Sequence, residues 1–246
     1  MEIYRDRSPD QVTQLSRELE EAELRLGQAL LQHFMIQTKP LLRRMMTRKW
    51  LSTDEDFKQL LRRTQELRDQ CTHMCPPQAQ VFASELHLRV VREYLSPLMK
   101  NNYSCRSRKH QRAAAKLRDQ WAQIRDLFLD MRSTADWLHP AGDHLSNIIG
   151  QKNTSDIKTH LEALVKDYPD ISKRHVAAVL FFRGVTRGRE RQLILQRVAE
   201  LKRDVRSTGN SEAHQHALFS SIPAAASSDC LAYTPFSCFS QLLPDH

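Results

Sequence analysis

Glycine is scarce, with 6 in 246 residues, and valine and threonine do not fall into alternating runs. Both shortages argue against a sheet, whose strands draw on β-branched residues and whose tight turns draw on glycine. Long apolar runs are missing too. The longest, Val176 to Phe182, falls far short of the ~20 residues a membrane-spanning helix needs. Cysteine is sparse and irregular: Cys71, Cys75, Cys105, Cys230 and Cys238 are odd in number and carry no framework spacing. A reduced, cytoplasmic setting fits that usage better than a secreted one. Met1 to Gln11 is polar and charged and is not read as a secretion signal. Motifs for a phosphate-binding glycine loop, a nucleophile elbow and a zinc-protease helix are also absent. The chain is therefore read as non-enzymatic, without cofactor or metal.

What is present is helix-forming. Leu, Arg, Gln, Glu and Ala dominate, and these residues favour helix. The fold class expected is all-α: an elongated rod of stacked antiparallel helical bundles with a disordered C-terminal tail. Apolar residues recur at helical spacing over about 12–36, 54–72, 78–100, 110–131, 135–150, 155–167, 172–183 and 189–205. Val12, Leu15, Leu19, Ala22, Leu26 and Ala29 alternate steps of three and four, a seam expected to pack within a bundle. Ser52 followed by Glu55 reads as a capping box. Cys75-Pro76-Pro77 is the sharpest break. It divides an N-terminal bundle segment, 1–75, from a C-terminal bundle, 76–206. From Ser207 onward Ser, Ala, His and Pro take over and Lys and Arg vanish, so 207–246 is read as the disordered tail.

The centre of the pattern is Ser155 to Gly184. Ile157, Leu161, Leu164 and Val165 make one stripe. Pro169 pushes Tyr168 out of the helical region. Ser172 caps a second helix carrying Val176, Val179, Leu180 and Phe182, and Gly184 ends it. Neither half buries its stripe alone.

The formal net charge is +8, which favours anionic partners. Lys100, Arg106, Arg108, Lys109, Arg112, Lys116 and Arg118 lie together with no acidic residue among them. Two readings stand: a solvated helix face, or a surface for an acidic protein or anionic lipid, each basic residue adding ~1 kcal/mol near such a membrane. Nucleic acid is not expected, because the aromatics fall on core stripes. Cys71-Thr72-His73-Met74-Cys75 offers three zinc ligands, two thiolates and an imidazole, but no second cluster. His139, Asp143 and His144 lie close in sequence without an adjacent nucleophile.

Leu86 to Lys100, the basic loop after it, and Trp137 to Gly184 with its YPDIS corner resemble the C-terminal part of the exocyst complex component 3 family. Within that family the resemblance is nearest to the exocyst complex component 3-like and tumour necrosis factor alpha-induced protein 2 branches. It implies a rod of helical bundles and a vesicle-tethering role, peripheral at the plasma membrane or secretory vesicles. The partners implied are exocyst subunits, SNARE proteins, and for some members Ral-type GTPases or phosphoinositides. No catalytic residue is carried by it.

Overall fold

The computed structural model describes residues 9–71, 74–105, 108–153, 155–207 and 217–225. Its helices are α1 (Pro9–Leu42), α2 (Arg48–Ser52), α3 (Glu55–Cys71), α4 (Pro76–Leu95), α5 (Lys109–Asp130), α6 (His139–Gly150), α7 (Ile157–Asp167), α8 (Lys173–Arg183) and α9 (Arg189–Ser207). No strand occurs among the described residues. The all-α expectation holds, and most helix limits fall within a few residues of the periodic stretches.

Layers follow chain order. α1 packs on α3 and α4, α5 on α2, α3 and α4, α6 on α5, α7 and α8, and α9 on α7 and α8. The 34 residues of α1 make it about 50 Å long at ~1.5 Å per residue. One apolar core runs through the stack, from Leu31 and Phe34 to Ile194 and Val198.

Local chemistry explains the ends. Pro40 sits in the last turn of α1, which stops at Leu42, as a ring that removes a backbone donor should dictate. Pro97 converts the end of α4 into a tighter 3-10 turn, Ser96–Lys100. At the central corner Tyr168 leaves the helical region, with φ −129° and ψ 73°. Ser172 accepts from the His175 backbone N–H, and the His175 side chain closes a reciprocal cap. Gly184 ends α8 at φ 101°. A Cβ there would meet the Cys105 carbonyl oxygen at 2.5 Å, so both backbone and space demand glycine.

Two expectations are corrected. Ser52 does not cap α3. It lies in α2 and donates to the Lys49 carbonyl at 2.8 Å, while Thr53 accepts from the Glu55 N–H at 3.2 Å. The tight α2–α3 link moves the capping oxygen one residue on. The second concerns the tail, most of which lies outside the described residues. Within it, 217–225 is docked, with Leu218, Phe219 and Ile222 fully buried. This strap has no helical period to reveal it. It is held by residues far away in the chain.

A buried histidine makes the core acid-sensitive. His87 of α4 stacks on Phe128 of α5 at 4.2 Å and 7° and bonds the Ser133 hydroxyl at 3.1 Å. Burial, with His139 nearby, pushes its pKa down to about 3. Burial also lowers those of His139 and His175. The unfolded imidazole takes its proton near ~6.5, so below that pH the unfolded chain binds more protons than the folded one. The stability is complete above pH ~6.5 and is lost as pH falls toward the folded value, at ~1.4 kcal/mol per unit per histidine. His87 alone should cost about 2 kcal/mol between pH 7 and pH 5. Urea unfolding at the two pH values measures it, and His87→Gln should flatten the slope. An unchanged slope in that variant would remove His87 as the cause.

Candidate interaction surfaces

The basic segment divides in the structure. Arg106 lies outside the described residues. Lys100 is exposed at the end of the 3-10 turn, and Arg108, Lys109 and Arg112 are exposed together at the start of α5. Lys116 turns inward instead. It pairs with Asp54 at 2.7 Å, donates to the Thr53 carbonyl at 2.9 Å and lies over the Trp50 ring at 5.4 Å. That hydrogen bond holds the Asp54 carboxyl below its ordinary pKa. Arg118 donates to the Asn147 side chain at 3.2 Å.

Three cations around the first turn of α5 oppose the helix dipole, at ~0.3–1 kcal/mol each. Arg108 stands at the cap and makes no side-chain cap bond. Beside this turn lies a hollow of about 440 Å³ lined by Arg48, Asn102, Tyr103, Ser104, Lys109 and Phe181. Positive charge and hydroxyl groups thus line one space beside a helix N-terminus, which suits an oxyanion.

The histidine candidates separate. His144 bonds Asp167 at 2.7 Å, whereas His139 lies 3.8 Å from Asp136. His139 and His144 thus turn to different carboxylates. Cys71 is buried, Cys75 donates toward Glu23 at 3.8 Å, and His73 lies outside the described residues. Among the described residues no His/Cys/Asp/Glu group is placed to hold a metal, and no helix is long and apolar enough to cross a membrane.

The α1 seam does not pack as expected. All six of its residues, Val12, Leu15, Leu19, Ala22, Leu26 and Ala29, are exposed, while α1 packs through another side that carries Gly27, Leu31 and Phe34. Val12, Leu15, Leu19 and Leu26 are 53, 44, 59 and 61% exposed. Among the described residues nothing covers this stripe. On a different side of α1 lies a groove of about 450 Å³ against α4, lined by Leu24, Gly27, Leu31, Pro77, Val81 and Phe82. Glu23, Glu85 and Arg89 also line it. Asp10, Glu18, Glu20, Glu21 and Glu23 outnumber Arg17 and Arg25 here, so this end is acidic within a basic chain. The three-and-four spacing revealed the stripe. Its exposure was set by the absence of a neighbour, which spacing does not encode.

Comparison with known proteins gives a consistent picture. The model of the family described as exocyst complex component Sec6 matches residues 2–186. The exocyst complex component 3-like protein of Bos taurus is 25% identical over 232 residues, covering 94% of this chain and 31% of the relative. Tumor necrosis factor alpha-induced protein 2 of Mus musculus is 24% identical over 178 residues, covering 72% of this chain and 26% of the relative. The crystal structure of M-Sec superposes with a TM-score of 0.74 at 22% identity, over 91% of this chain and 38% of that one. The chain thus spans about a third of the length of the relatives it matches.

Proposed function

This chain belongs to the exocyst complex component Sec6 family, and on that premise we propose that it is a non-catalytic vesicle-tethering protein acting through its helical surfaces. The observation that carries this reading is the open apolar stripe of α1, on the helix that also lines the groove against α4. A soluble helix face of this kind is stable when a partner covers it. The partners in this reading are exocyst subunits and SNARE proteins, with a Ral-type GTPase as a further one. Its place is the cytoplasm, peripheral to the plasma membrane or secretory vesicles.

A second reading rests on the hollow beside α5. Arg48, Lys109 and the neighbouring Arg108 and Arg112 would hold the phosphate of an anionic lipid, so that the chain also sits on the membrane.

One experiment separates the two. The full chain is crosslinked in cells and its partners identified, alongside pelleting of purified protein with phosphoinositide vesicles. Leu19→Glu with Leu26→Glu should abolish recovery of exocyst subunits and leave pelleting intact. Arg108→Glu with Lys109→Glu and Arg112→Glu should do the reverse. Recovery of neither exocyst nor SNARE proteins with the unaltered chain would overturn the tethering reading. Pelleting unaffected by the charge reversals would overturn the lipid one.

A further inference from the structure

Residues 217–225 return to the helical stack and lie across α4, the Ser96–Lys100 turn and the α7–α8 corner. Their only regular element is one 3-10 turn, Phe219–Ser221. The rest of their order comes from being read by the fold. Arg92 donates to the Ala217 carbonyl at 3.3 Å. Asp170 accepts from the Ser220 N–H at 2.8 Å. His175 Nε2 donates to the Ile222 carbonyl at 2.8 Å. The Ala225 N–H donates to the Met99 carbonyl at 2.9 Å. Between these four points Leu218, Phe219 and Ile222 drop into apolar space and are buried. The Phe219 ring stands edge-on to Tyr168, with centroids 5.5 Å apart at 84°, and 5.6 Å from His175.

The receiving side is set independently of the strap. His175 Nδ1 accepts from the Ser172 backbone N–H at 3.0 Å, which leaves the proton on Nε2, aimed at the strap. Tyr168 is fixed by its hydroxyl, which donates to the Trp137 carbonyl at 2.6 Å. One oxygen of Asp170 is buried without a hydrogen-bond partner, so the carboxylate keeps room for another donor. Backbone contacts at several points, with side-chain pockets between them, are how folded domains hold short peptides. Preorganised donors and acceptors lower the cost of such binding. Arg92, Met99, Tyr168, Asp170 and His175 all lie within the stretch matched by the family model, 2–186, whereas the strap lies beyond it. Groove and occupant therefore belong to different parts of the sequence.

We propose that this groove is a peptide-docking site held shut by the chain's own residues 217–225. It opens to a segment of another polypeptide with the same chemistry: a large apolar residue and an aromatic side by side, two small residues, then isoleucine and proline. Because the resident segment is tethered, its local concentration is on the order of mM. A competing segment gains the site when it binds more tightly or when the strap is drawn away. This mechanism is independent of the α1 surface.

The test uses the full chain and a fluorescein-labelled peptide spanning residues 216–226. Phe219→Asp should vacate the groove, so that this variant binds the peptide saturably at least tenfold more tightly than the unaltered chain. A peptide with its phenylalanine replaced by alanine should not bind. Adding Asp170→Ala should weaken binding several-fold with an unchanged circular dichroism spectrum. A folded Phe219→Asp chain that takes up neither peptide, or both equally, overturns the proposal. Should that variant fail to fold, a protease site placed within 208–216 decides. After cleavage the strap fragment should stay bound and be displaced by excess unlabelled peptide, but not by its alanine form. A fragment that excess peptide does not displace, or that leaves at once on cleavage, overturns the proposal.

Discussion

Replacing Gly142 with alanine will lower the melting temperature by about 6–12 °C, the equivalent of ~3 kcal/mol at ~2–4 °C per kcal/mol for a chain of this size. The sign is the informative part. Within a helix, alanine is ordinarily better than glycine by ~1 kcal/mol. Gly142 lies in the first turns of α6, where α6 meets α5 along the most extensive helix pair of the structure. A Cβ at this position would stand 2.1 Å from Trp121 Cδ2 and 2.2 Å from its Cγ. The indole is 3% exposed and is tied by its N–H to the His139 carbonyl at 2.8 Å, so it has nowhere to retreat. Overpacking of this kind costs ~1–3 kcal/mol and occasionally more. The added cost here is the offset of the indole from its hydrogen bond. Thermal unfolding followed by circular dichroism measures the effect. In a Trp121→Leu background the same substitution should lose most of its penalty. A Gly142→Ala chain as stable as the unaltered one would contradict the α5–α6 contact.

Gln120→Leu should cost about 2–4 kcal/mol, although the volumes are similar, because two buried donors are left without an acceptor at ~1–3 kcal/mol each. The Gln120 side-chain oxygen accepts from the Trp50 indole at 2.7 Å and from the Tyr94 hydroxyl at 2.8 Å. Its amide donates to Asp54 at 3.0 Å. One side chain of α5 thereby fastens α2, α4 and the head of α3. Urea unfolding gives the cost directly. A Gln120→Leu, Tyr94→Phe double variant should lose less than the two single losses added, since removing both partners avoids an orphaned donor. Strict additivity would place the effect outside this network.

The helices themselves were legible because each buries one side against its neighbours, and that requirement writes a 3.6-residue rhythm into the sequence. The α7–α8 corner was legible to the residue, through Pro169, Ser172 and Gly184, because each acts on its own backbone. The interaction surfaces were less so. Lys109 and Lys116 read alike in the sequence, yet Asp54 draws Lys116 into the structure and leaves Lys109 facing out. The strap carries Leu218 and Phe219 in a segment of serine and alanine. Nothing local distinguishes them from a solvated tail, because their partners Tyr168, Asp170 and His175 are distant in sequence. The open side of α1 shows the opposite limit. Its stripe has the rhythm of a buried helix, and only the three-dimensional arrangement shows that it lacks cover.

The long reach of Trp50 bears on how the chain is made. Its indole bonds Gln120 and its ring packs 6.4 Å from Phe182 of α8. A ribosome adding ~5–20 residues per second therefore emits α2 on the order of ten seconds before α8 exists to receive it. During that interval the nascent segment displays an unfinished greasy face, an opening for chaperones to hold it. The strap, 217–225, emerges later than α8 and seats after it.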